Sequence, residues 1–163
     1  MTAKTIDPVL YRNAMSRYAG HVQIVTTAMG EEKRGVTVTA ACSVSDNPAT
    51  VLVCLNAGNH ANELFTKSGR FALNSLAADQ QPLAEAFSGM GKLPVEERFA
   101  KAKWLKLATG APVLADAMAA FDCRLIEAKQ VATHMILIGE VEAIHVGPDS
   151  AALMYFERAF KAL

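Results

Sequence analysis

The chain has 163 residues, 52% of them hydrophobic, and its sixteen basic side chains are balanced by sixteen acidic ones. That length suits one domain over residues 1–163 with a buried core, and zero formal charge gives no electrostatic footprint for nucleic acid or for an anionic membrane. No apolar run approaches the ~20 residues of a membrane span and the first residues lack a signal peptide's apolar core, so a soluble, cytoplasmic protein is expected.

In chain order, Asp7-Pro8 predicts an N-cap and first turn, with Leu10, Ala14 and Tyr18 at helical spacing, for a helix over about 8–18. A strand follows over His21 to Ala28, then a polar turn at 29–34. The stretch GVTVTAACSVSDNPATVLVCLN, 35–56, reads as two β-branched runs, Val36 to Val44 and Thr50 to Leu55, around the turn Ser45-Asp46-Asn47-Pro48. Its first run pairs with the preceding strand as an antiparallel hairpin. Leu64 and Phe65 mark a short helix stopped by Ser68-Gly69, and Phe71 to Leu76 reads as a strand. Asp79 is placed to cap a helix bearing Leu83, Ala84 and Phe87. The polar stretch 88–107, broken by Gly91 and Pro94, reads as a mobile excursion or lid with one short helix at 96–101. Two long strands follow, Ala119 to Ala132 and His134 to Val146. A terminal helix opens at Pro148-Asp149, with Leu153, Phe156, Phe160 and Leu163 as its apolar stripe. About six strands and three or four helices, without regular alternation, predict an α+β, mainly β, antiparallel fold rather than a doubly wound one.

Three features can carry chemistry. The first run of 35–56 is small or hydroxylated at Gly35, Thr37, Thr39, Ala40, Ala41, Ser43 and Ser45. It suits either a crowded interior or a flat cofactor lying along open backbone groups, with Ser43 and Ser45 adding polar contacts. Asn56-Ala-Gly-Asn-His-Ala-Asn62 enters a helix, as a phosphate site or as simple capping, with Asn62 as a side-chain donor. His134 is the third, a structural residue or a functional one. The four histidines are too dispersed for a metal set, and Cys42, Cys54 and Cys123 form no Cys-x-x-Cys pair, so reduced thiols and no metal are expected. Neither a Gly-x-Gly-x-x-Gly turn, a Walker A loop nor a nucleophile elbow is present.

Several segments together carry a resemblance: Gly35 to Pro48 followed by Val51 to Leu55, then Gly69-Arg-Phe-Ala-Leu-Asn74, Gln81-Pro-Leu-Ala84, Gly110-Ala-Pro112, Gly139-Glu-Val141 and the aromatic ending at Phe160. In these the chain resembles the short-chain flavin reductases that serve two-component flavin monooxygenases, of the 4-hydroxyphenylacetate 3-monooxygenase reductase type. The resemblance implies an FMN-binding split β-barrel, usually a homodimer, reducing FMN or FAD with NADH or NADPH. It implies that Thr37, Val38, Thr39 and Ala40 line the flavin ring, with Ser43 and Ser45 near its ribityl and phosphate end. Cys54, Leu55 and Asn56, then His60, Ala61 and Asn62, correspond to the segment that holds the flavin chain and phosphate. His134 corresponds to a nicotinamide-contacting histidine, but Ala132-Thr133 stands where the family commonly has Gly-Asp. Corrinoid reductases of cobalamin synthesis share this scaffold, as do flavin- or haem-binding modules without turnover, so three fates for the site are open: a partner oxygenase, another electron acceptor, or binding alone.

Overall fold

In the computed structural model, which describes residues 5–163, the chain is organised on one seven-stranded antiparallel sheet. Helix α1 (Pro8–Met15) precedes β1 (Gly20–His21), β2 (Gln23–Met29), β3 (Glu32–Val38), β4 (Ala41–Asp46) and β5 (Ala49–Asn56). Helix α2 (Glu63–Ser68) and β6 (Arg70–Ser75) follow, then α3 (Gln81–Phe87) and α4 (Val95–Phe99). The short strands β7 (Trp104–Lys106) and β8 (Pro112–Leu114) lead into the long pair β9 (Ala119–Val131) and β10 (His134–Val146), and β11 (Leu153–Phe156) and β12 (Ala159–Ala162) close the chain.

The strand order is β3-β2-β6-β9-β10-β5-β4, so β3 and β4 occupy opposite edges although only Thr39 and Ala40 join them. From Val38 to Ala41 an extended chain reaches no more than about 11 Å. The sheet must therefore curl until its edges nearly meet, and because β3 and β4 share no ladder the edges remain apart at that corner. At β2 the sheet is covered on both faces: neighbours Ile24 and Val25 point to opposite faces, and both are fully buried. Inside the curl, Val25, Val53, Leu55, Phe65, Phe71 and Leu137 form one core, and outside it Ile24, Leu76, Phe87, Phe99 and Val113 form another beneath α3 and α4.

Several sequence expectations hold. Asp7 caps α1 by accepting from Val9 N at 2.9 Å, Gly69 ends α2 with φ of 68°, and β2 pairs with β3 as β9 does with β10. Others do not. The terminal helix is a hairpin, β11–β12, paired through β11 to β1. Its apolar stripe is interrupted by Glu157 and Arg158, whose φ of 49° and 60° form a two-residue turn no helix accommodates. The strand expected over 21–28 divides at Val22, whose N–H donates to Leu153 O while its C=O accepts from Leu76 N, so that His21 pairs into the smaller sheet. The first helix stops at Met15, with Ser16 closing it. Asp79 caps nothing: it lies inside a 3-10 turn, and Gln80 Oε1 accepts from Ala77 N instead.

The stretch expected as a lid is pinned to the body. Phe99 is buried, edge-on to Phe87 at 5.1 Å, and Trp104 packs 4.9 Å from Phe99 while donating from Nε1 to Phe99 O at 2.8 Å. Gly35, taken with the small run as a site of ligand approach, is buried and serves this core: an added Cβ would lie 2.4 Å from the Phe87 ring.

Candidate functional site

The run expected as one strand, Val36 to Val44, breaks at Thr39–Ala40, and its two halves differ in environment. In β3 the side chains are already committed: Thr37 Oγ1 donates to Ala84 O at 2.6 Å, and Val36 and Val38 pack on the inner core. At the corner the opposite holds. Thr39 and Ala40 are exposed, their carbonyls accept from Ala41 N and Cys54 N, and their own N–H groups have no partner among the described residues. Two adjacent open donors beside small side chains suit the edge of a flat, acceptor-rich ring. The β3 half of the stretch thus matches the crowded-interior reading, and the corner residues are the ones left open to solvent.

The open surface continues along β5. Cys54 lies beside Ala40, and along one face of that strand Cys54 and Asn56 stand opposite Ile136 and His134 of β10. His134 is exposed, and its Nδ1 lies 2.9 Å from Thr133 Oγ1, a neutral partner that orients the ring. Ala57 N donates to Thr133 O, which ties the histidine's turn to the amide-rich loop. Leu55 points the other way and is buried in the core.

The amides of the 56–62 loop first serve the loop itself. Asn56 Oδ1 accepts from Gly58 N, Asn59 Oδ1 accepts from Ala61 N, and Asn62 Nδ2 donates to Asn56 O at 3.0 Å. His60 and Ala61 are exposed beside Glu63, whose carboxyl is held below its usual range by hydrogen bonds from His60 and then Lys67. Two residues that sequence reasoning missed complete this end. Arg34 Nε donates to Asn62 Oδ1 at 3.0 Å, and Arg98 is close enough that its charge, after burial, lowers Arg34's pKa below the usual guanidinium range. Neither arginine meets a carboxylate among the described residues. Two neighbouring, half-solvated cations with no direct ion pair suit an anion such as a phosphate, in a cleft that also holds Glu32, Glu63 and Glu96. Arg34 immediately precedes Gly35, so its place in the motif was a usable signal; nothing in a single sequence marks Arg98.

Of the residues singled out from sequence, the structure brings together Thr39, Ala40, Cys54, Asn56, Asn62 and His134. It does not bring Ser43 and Ser45 to the loop. They open into a separate cavity of about 340 Å3 with Leu73, Phe121 and Val141, and Ser43 stands opposite Val51, five residues or about 17 Å along β5 from Asn56.

Known proteins resemble this chain over nearly its whole length. The flavin reductase like domain matches residues 15–163. FMN reductase (NADH) RutF of Agrobacterium fabrum is 47% identical over 153 residues, spanning 94% of this chain and 87% of its own. Flavin reductase PheA2 superposes with a TM-score of 0.87 at 32% identity over 97% of this chain and 99% of its own. BorF, the flavin reductase component of a bacterial two-component tryptophan halogenase, does so at 0.88 and 28% over 96% and 98%. Near-complete coverage in both directions, together with a curled sheet whose corner carries open amides, means that the chain belongs to the flavin reductase-like domain family.

Proposed function

We propose that this protein is an NADH-dependent flavin reductase whose product, reduced FMN, leaves to serve a separate flavin-dependent enzyme. The observation that supports this most is the continuity of three parts: the open Thr39 and Ala40 amides, the Arg34 and Arg98 cation pair beside Asn62, and exposed His134 opposite Asn56. Relatives named FMN reductase (NADH) favour NADH and FMN over the alternatives NADPH and FAD. Strand β5 connects the first two parts, with Cys54 N donating to Ala40 O and Asn56 O accepting from Asn62 Nδ2, so a molecule with a flat ring at one end and a phosphate at the other would span them.

Bound flavin accepts a hydride from the dihydronicotinamide. The chain's part is to position and to stabilise. The corner amides donate to the ring edge on which negative charge accumulates, and the cation pair holds the phosphate. His134 bounds the space for the nicotinamide, its ring fixed by Thr133, and most of the remaining rate comes from holding the two rings in contact.

On this reading the sheet is a split barrel, the whole chain is one catalytic domain, and the protein works in the cytoplasm; no helix among the described residues is long and apolar enough to cross a membrane. A homodimer is supported by α1, which buries no residue and leaves Leu10 and Tyr11 exposed. The recipient of reduced flavin is a partner oxygenase, of which a 4-hydroxyphenylacetate 3-monooxygenase is one example. Mixing the protein anaerobically with FMN and NADH tests the reading: bleaching of the flavin at a catalytic rate is expected, and persistent yellow colour with both NADH and NADPH would sink it. Hydroxylation assays with added oxygenases then identify the recipient, and light scattering gives the mass of the assembly.

A further inference from the structure

Ser43 and Ser45 have no place in the site described above, and the cavity they open into has a chemistry of its own. It is the unfilled end of the inner core, at the far end of β5 from Asn56. Val51, Leu73, Phe121 and Val141 form its apolar floor, and the first two are buried. Protein interiors are ordinarily filled to the density of organic crystals. Here the core stops short because the positions that would cap it, Ser43 and Ser45 on β4 and Ser75 on β6, carry small side chains.

The rim is polar and uncharged over most of its length. Between Ser43 and Ser45 the β4–β5 ladder slips by one residue, so that Val44 is left out of the pairing and both serines line the cavity. Such bulges re-aim side chains next to binding sites. Ser45 Oγ accepts from Asn47 N at 3.1 Å, which leaves its own proton to donate, and Ser43 Oγ has no hydrogen-bond partner among the described residues. Across the opening, Ser75 Oγ donates to Gln23 Oε1 at 3.2 Å and so orients the amide, whose Nε2 is unpaired among the described residues. Among the described residues no lysine, arginine or histidine lines the cavity, and its one carboxylate, Asp46, is exposed.

Without a cation the cavity rejects the phosphates of flavin and nicotinamide nucleotides. An apolar floor beside neutral donors and acceptors suits instead an uncharged ring that carries a hydroxyl on one edge. A cavity of about 150 Å3 is enough for benzene, and this one measures about 340 Å3. We propose that it binds a neutral monocyclic phenol, with the ring against Leu73 and Phe121 and the hydroxyl on Ser43, Ser45 and Gln23. The residues of this cavity and those of the flavin reading do not overlap, so either assignment stands without the other.

An NMR titration of the wild-type protein with p-cresol tests the cavity without turnover. Saturable shifts are expected at the amides of Ser43, Ser45, Val51 and Val141, with a dissociation constant below about 1 mM, within reach of so small a ligand. Benzoate and inorganic phosphate should leave those amides unmoved. The double variant Ser43→Ala/Ser45→Ala should bind p-cresol about tenfold more weakly and toluene, which lacks the hydroxyl, as the wild type does. Ser43→Phe fills the space from an exposed position on an edge strand and should abolish p-cresol binding. FMN affinity should stay within about twofold in both variants. Absence of saturable shifts in the wild-type protein, or equal p-cresol binding by the wild type and the double variant, overturns the proposal. So does a tenfold loss of FMN affinity in the double variant, which would return the serines to the flavin. A wild-type protein that binds p-cresol but not FMN would refute the flavin reading and leave the cavity's assignment standing.

Discussion

Arg34 on β3 donates from Nε to Oδ1 of Asn62, 3.0 Å away on the loop that follows β5. This one bond ties an edge strand to the amide-rich turn and leaves the outer N–H groups of the guanidinium for an anion. Replacing Arg34 by Met should raise the dissociation constant for FMN about tenfold, or ~1.4 kcal/mol. Riboflavin, which lacks the phosphate, should be bound nearly as before. Fluorescence quenching titrations compare the two, and equal losses for both would show that Arg34 holds the loop rather than the phosphate.

His134 and Thr133 are paired through Nδ1 and Oγ1 at 2.9 Å. His134→Ala should raise the KM for NADH severalfold with little change in FMN affinity, and Thr133→Val, which frees the ring to turn, should produce a smaller change in the same direction. A loss of FMN affinity with an unaltered KM for NADH would reverse the assignment.

Gly35 leaves space that the Phe87 ring fills, with a Cβ at that position falling 2.4 Å from the ring. Gly35→Ala should therefore destabilise the fold by about 1–3 kcal/mol through overpacking. Adding Phe87→Leu should recover part of that loss, because the two sites share one space. Thermal or urea melts of the single and double variants check this; strict additivity would mean that the strain is relieved elsewhere.

Ala132 begins the β9–β10 turn with φ of 51°, where a side chain is strained. Ala132→Gly should stabilise the protein by roughly 0.5–1 kcal/mol, the relief of left-handed strain less the added entropy of the unfolded chain. A lowered melting temperature would show that Ala132 Cβ makes contacts that outweigh its backbone strain.

Burial, followed by the charges of Asp122 and Glu142, pushes the Cys123 thiol up from 9.0 to about 12. The folded protein thus keeps a proton that the unfolded chain releases above pH 9.0, so this group's contribution to stability falls as pH rises from there toward 12. The slope is about 1.4 kcal/mol per pH unit. The stability of Cys123→Ala should decline less steeply than wild type over that window in alkaline denaturation curves. Alkylation should follow exposure and acidity: exposed Cys42 first, Cys54 later because burial and then Cys42 raise its pKa, and Cys123 only on unfolding.

Where local chemistry decides conformation, the sequence was legible. Asp7-Pro8 opens α1, Gly69 ends α2, and the β-branched runs on either side of 29–34 become the β2–β3 hairpin. The ending was misread because Leu153, Phe156, Phe160 and Leu163 have helical spacing, yet pairing of β11 with β1 and the Glu157–Arg158 turn override that periodicity. Among site residues, Asn62 and His134 were visible by type, whereas Arg34 and Arg98 are sixty-four positions apart and meet only through folding.

By itself the sequence determined that this is a mainly β protein with a small-residue stretch and an amide-rich loop, and its motifs identified the family. These are properties of neighbouring residues and their order. Tertiary structure alone decided which small residues stay open to solvent. Thr37 and Gly35 are consumed by α3, Ser43 and Ser45 turn into another cavity, and Thr39 and Ala40 remain open because the sheet's two edges are joined through them. The reason is geometric: a two-residue link between opposite edges of a seven-stranded sheet forces it to curl, and at that corner the backbone leaves one ladder without entering the next.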